Sequence, residues 1–84
     1  MRGLDEVRLN EKVKILDVVH EPFMKRRLFD LGFIKGNEVI PTLKHANRGI
    51  CAYEVKGCMI ALRQEDAKHI IVSDDEVKEC LINY

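Results

Sequence analysis

Six side chains in this 84-residue sequence have the chemistry to hold a transition metal: Cys51, Cys58, Cys80, His20, His45 and His69. Thiolates and imidazoles are the usual ligands of zinc and suit iron as well. Their spacing does not assemble them. There is no CxxC pair, and no two histidines are close in sequence. A hairpin read around Lys56-Gly57 pairs Val55 with Cys58, Tyr53 with Ile60 and Cys51 with Leu62. Cys51 then lies four residues along from Cys58, roughly 13 Å away at about 3.3 Å per residue. Zinc holds sulfurs at about 2.3 Å. The cysteines are therefore expected to pack in the core, as free cysteine commonly does. Direct binding of a divalent metal ion would be weak and would fall to His20, His45 or His69 with nearby carboxylates.

Nucleophilic chemistry has less to work with. Ser73 is the only serine, and before Asp74, Asp75 and Glu76 it reads as a helix cap in a capping box. A Cys–His pair needs an accessible, activated thiol, which the inward faces expected for Cys51 and Cys58 deny. The glycines follow neither GxxxxGK[ST] nor GxGxxG. The expectation is a binding protein that is no enzyme and carries no resident cofactor.

Charge narrows the partners. Fourteen basic and fourteen acidic residues cancel overall, yet residues 41–63 carry +3 and residues 64–84 carry −4. Nucleic-acid binders usually show a basic excess, because counterion release supplies much of their affinity. Zero net charge and five scattered aromatics speak against that class. No apolar run approaches the roughly 20 residues needed to span a bilayer, and no signal peptide is apparent. With three unpaired cysteines, a cytoplasmic location without membrane insertion is expected.

The elements that must position these residues are short. Residues 12–19 are rich in β-branched and apolar side chains and read as a first strand. Its apolar residues change face after Ile15, so a bulge or two-sided burial is expected. Glu21-Pro22 opens a helix, Met24, Leu28 and Leu31 make its apolar stripe, and Gly32 is its C′ residue. Lys35-Gly36-Asn37 is a turn before a second strand over residues 38–44, where Pro41 demands an edge or a bulge. The hairpin of residues 50–62 turns one apolar face inward, namely Cys51, Tyr53, Val55, Cys58, Ile60 and Leu62. A helical turn over 64–69, a closing strand over 70–72 and a short C-terminal helix follow. The reading is one domain over residues 1–84: a mainly β, SH3-like five-stranded barrel over about 4–73 with one packed helix, and a helical tail over 74–84.

Lys25, Arg26 and Arg27 span nearly a full helical turn and so form no single stripe. They read as a solvated face, with Arg27 near the barrel edge and able to pair with Asp30. Phe29, Phe33 and Ile34 either extend the core or form an exposed apolar spot of the kind that binds proteins. Together with Arg48 from the polar loop at 45–49, the candidate partner-contact residues are Lys25, Arg26, Phe29, Phe33, Ile34 and Arg48.

One further pattern runs through most of residues 4–73. Leu4, Val7 and Leu9 lead in; Arg27-Leu28, Leu31-Gly32-Phe33 and Gly36 follow; Gly57 turns the hairpin; Ala61-Leu62-Arg63, Ala67, Ile70 and Val72 close. In order and spacing this resembles the FeoA family. Asn10 stands where the family usually has glycine, the loop at 45–49 lacks a proline the family often carries after it, and the tail extends beyond the usual domain end. The resemblance implies an accessory protein of bacterial ferrous iron uptake whose partner is the cytoplasmic G domain of the FeoB permease. A similar barrel ends iron-dependent repressors of the DtxR type, so a metal-responsive module or an iron chaperone is the alternative. Oligomeric state stays open, since the Pro41 strand and the apolar side of the tail could each pair with a copy.

Overall fold

Alternating apolar residues build the strands, and the sustained helical stripe builds a helix. The computed structural model describes residues 2–74. The strands are β1 (Arg2–Gly3), β2 (Val13–Val18), β3 (Glu38–His45), β4 (Ile50–Val55), β5 (Cys58–Arg63) and β6 (Ile70–Val72). Helix α1 (Pro22–Asp30) joins β2 to β3, and the short α2 (Gln64–Ala67) joins β5 to β6. All pairings are antiparallel, and the spatial order is β1-β6-β2-β3-β4-β5. The mainly β architecture is the expected one, with a sixth strand in the lead-in. Residues 75–84, which hold Cys80 and most of the expected tail helix, lie outside the described residues.

The register shift between Ile15 and Asp17 is a β-bulge. It explains how Val13, Ile15 and Val18 can all be buried although two are odd-numbered and one even. A second irregularity separates Pro41 from Leu43 in β3. β2 pairs with β3 only at Glu38 and Val39, so Pro41 lies beyond that ladder, paired with Tyr53 of β4 beside the irregularity, where its missing N–H breaks no ladder bond to β2. Its carbonyl accepts from the Asn10 N–H at 2.7 Å, and Asn10 adopts the positive φ its turn requires, 68°.

The hairpin register is the expected one: Val55↔Cys58, Tyr53↔Ile60, Cys51↔Leu62. Lys56 and Gly57 both take positive φ, 54° and 78°, as a tight hairpin turn needs. Burial corrects one position. Cys51 is buried and Cys58 is exposed. On edge strand β5 only Leu62 is buried, with Ile60 partly so, because no further strand covers that side.

The core gathers around Leu4, Ile15, Leu28, Phe33, Val39 and Tyr53. Phe33 and Tyr53 meet edge to face, 6.5 Å between centroids at 86°, a favoured aromatic geometry. Burial pushes the Tyr53 phenol well above its ordinary 10.0, opposed by the bond its oxygen accepts from Gln64 Nε2 at 2.9 Å. At the rim, Arg2 bonds Glu11 Oε2 at 2.6 Å and the Ser73 carbonyl at 3.1 Å. The guanidinium holds the Glu11 carboxyl below its usual range. Ser73 is tied back to β2: its N–H donates to the Lys14 carbonyl, and its Oγ accepts from the Lys14 N–H. β1 packs close: a Cβ on Gly3 would stand 2.7 Å from the Lys68 carbonyl oxygen, nearer than carbon and oxygen can sit.

Candidate functional site

Helix α1 is fixed at both ends and free across its outer face. The Glu21 carboxylate caps it by accepting from the Met24 N–H at 2.7 Å, and Pro22 occupies the first turn. At the far end the Gly32 N–H donates to Phe29 and the Phe33 N–H to Leu28, each at 3.0 Å, with Gly32 at φ 106°. That is a Schellman motif, and its apolar contact is the pair Leu28 and Phe33. It changes the expected stripe. Leu28 is buried, Met24 is half-buried, and Leu31 is exposed because the chain turns there. Phe33 takes the inward place instead.

The opposite side of the helix is open. Pro22, Arg26 and Asp30 follow one line at four-residue spacing, away from Leu28. A concavity lies on each flank of that ridge: one is completed by Lys25 and Phe29, the other by Phe23 and Arg27. Phe23 is 72% exposed and Phe29 39%. Lys25 Nζ lies 5.8 Å from the Phe29 ring centroid, a cation–π contact. Among the described residues no ion pair engages Lys25, Arg26 or Arg27, including the pairing expected between Arg27 and Asp30.

The six candidate contact residues therefore separate. Lys25, Arg26 and Phe29 share one concavity. Ile34 is exposed in the turn after α1, and Phe33 is fully buried, so it faces no partner in this fold. Arg48 lies on the 3-10 turn Ala46–Arg48 and lines a different hollow with Arg63 and Glu65. Sequence reasoning missed Phe23. Its signal was its position outside the Met24/Leu28 stripe, where an aromatic has no core to enter.

The histidines separate as well. Val18 pairs with Ile70, so His20 and His69 follow and precede that pair and their rings meet, 4.4 Å between centroids. His20 Nε2 lies 3.2 Å from Asp66 Oδ1, and His20 Nδ1 accepts from the Glu21 N–H at 2.8 Å. Both ring nitrogens are thus engaged within the protein. His45 is exposed at the end of β3. Among the described residues no group of three or more His, Cys, Asp or Glu side chains is arranged to hold a metal ion. None of their helices is long and apolar enough to cross a membrane.

The FeoA domain family model matches residues 2–74, all of the described chain. The chain belongs to the FeoA family. Among solved structures it is similar to the FeoA of Stenotrophomonas maltophilia, at 31% identity and a TM-score of 0.76, over 87% of this chain and 91% of that one. That protein, solved with zinc, is described as a prokaryotic SH3 domain protein and a suggested ferrous iron transport activating factor. A FeoA-like protein from Clostridium acetobutylicum is 29% identical, with a TM-score of 0.79 over 99% of this chain and 94% of the other. A manganese-dependent transcriptional repressor shares the fold alone, at 16% identity and a TM-score of 0.79, over 86% of this chain and 40% of its own. No curated protein sequence matches. Cys58 is an exposed free thiol.

Proposed function

We propose that this FeoA-family chain is a non-enzymatic accessory protein of bacterial ferrous iron uptake, acting in the cytoplasm by binding the G domain of a FeoB-type permease and modulating it. The family match across residues 2–74 carries the reading, and the description of the S. maltophilia relative supplies the link to ferrous iron transport. The architecture supports docking over catalysis. The core is apolar, with no buried polar or charged side chain among the described residues, while exposed aromatics and unpaired cations sit together on α1. Direct capture of iron has less support, since His20 meets His69 but has both ring nitrogens engaged.

The test is an NMR titration of the labelled protein with the permease's cytoplasmic G domain, with and without nucleotide, beside an Fe²⁺ titration. Saturable, contiguous shifts with the G domain in metal-free buffer are the expected result. Silence there, with saturable shifts at His20 and His69 on adding Fe²⁺, replaces this reading with a metal-responsive one.

A further inference from the structure

The open side of α1 combines two features that a solvated helix does not need. Aromatic side chains flank its ridge, with Phe23 on one side and Phe29 on the other. Three cations, Lys25, Arg26 and Arg27, surround them without an ion pair among the described residues. The helix does little core work for its length, since Leu28 is its one fully buried residue among the described residues. Exposed aromatic surface bordered by arginine is the composition of binding hot spots.

We infer that this face, centred on Arg26 between Phe23 and Phe29, is a docking groove for an acidic amphipathic segment of a protein partner. The two aromatics offer concavities for apolar side chains, and the unpaired cations set the sign of the charges between them. A carboxylate reaching Arg26 would make a charge-assisted bond with planar geometry. An anionic membrane is the poorer match. Asp30 stands on the same ridge as Arg26, and Glu21 lies at its start. A continuous lipid surface would bring phosphates against both carboxylates, whereas a peptide segment can place its acidic side chains opposite Lys25, Arg26 and Arg27 alone. Basic membrane helices keep their polar face cationic. The inference rests on the protein-docking reading above and adds the surface and the chemistry of what it binds.

The full chain, isotope-labelled, is titrated with a synthetic amphipathic peptide carrying glutamates on one face and leucines on the other, and with its lysine-for-glutamate counterpart. The acidic peptide is expected to shift residues 22–30 saturably, to bind at least tenfold more tightly than the basic one, and to weaken with salt. Phe23→Ala and Arg26→Glu should each lower the affinity about tenfold or more while preserving a dispersed spectrum, and Met59→Ser, on the exposed face of β5, should not. Equal binding of both peptides, shifts confined elsewhere, or helix variants that bind like wild type overturns the inference. So does cosedimentation with phosphatidylglycerol vesicles at concentrations where the peptide is silent. Shifts over residues 22–30 that grow with protein concentration alone assign the face to a second copy, which also overturns it. The G domain, run in parallel, separates the two ideas. Its binding undiminished in Phe23→Ala and Arg26→Glu refutes this groove and leaves the docking function standing. A silent G domain with an acidic peptide that binds refutes the named partner and leaves the groove.

Discussion

Two pairs of aromatics lead opposite lives in this fold. Phe33 and Tyr53 are enclosed, set edge to face, and satisfied where Tyr53 has a polar end. Phe23 and Phe29 lie on the far side of the helix that delivers Phe33, open to solvent and edged by cations. The difference is one of support. The first pair belongs to a core cluster to which β2, β3, β4, β5 and β6 all contribute, whereas the second is held by the turn-by-turn geometry of α1 alone. A helix fastened by a Glu21 cap and a Schellman turn keeps its outer residues in place without burying them. The enclosed pair should thus carry stability and the open pair association.

The comparison can be broken first at Phe33. Phe33→Ala removes a fully buried ring and should cost about 3–5 kcal/mol in urea unfolding, a large part of the stability of so small a protein. If the loss stays under about 1 kcal/mol, the enclosed pair is not the keystone. Tyr53→Phe keeps the ring and removes the bond from Gln64, so about 1 kcal/mol is expected. The pH dependence sharpens this. Burial raises the folded pKa of Tyr53 above its ordinary 10.0, so its contribution is fully present below pH 10 and declines as the unfolded phenol ionises above it. Wild type should lose stability above pH 10 more steeply than Tyr53→Phe does. The smallest stability effect belongs to Phe23→Ala, expected within about 0.5 kcal/mol of wild type. A loss there comparable to that of Phe33→Ala would erase the distinction between the pairs.

How far the fold could be read from the sequence varied with the kind of contact. The β4–β5 hairpin was legible in full register, because Lys56-Gly57 marks the turn and a one-residue slip would bury Glu54. Which inward residues are covered was less so. Cys58 shares a face with Val55, but the end of α1 sits over Val55, where a Cβ on Gly32 would meet its Cγ1 at 3.3 Å. Cys58 lies on the edge strand without such a cover. Similarly, Pro22 and Gly32 announce the limits of α1, while the exchange of Leu31 for Phe33 depends on how the C-terminal turn folds back. The encounter of His20 with His69 follows from the β2–β6 register, which joins segments some fifty residues apart and has no local signature. On the outer face of α1, the exposure of Arg26 and Phe29 follows from helical spacing against Leu28, whereas residue type does not distinguish Phe33, which is buried, from its exposed neighbour Ile34.

The pairing of β1 with β6 has an architectural consequence. Arg2 stands opposite Val72, so the chain enters and leaves the folded unit side by side, at one corner. A unit with neighbouring ends can be joined to other sequence without opening its core, since whatever is attached departs from a single hinge point. The same fold occupies 40% of a much longer manganese-dependent repressor. Such geometry makes the domain portable: evolution, or an engineer, can graft it as a cassette and leave the face of α1 pointing wherever the host protein needs it.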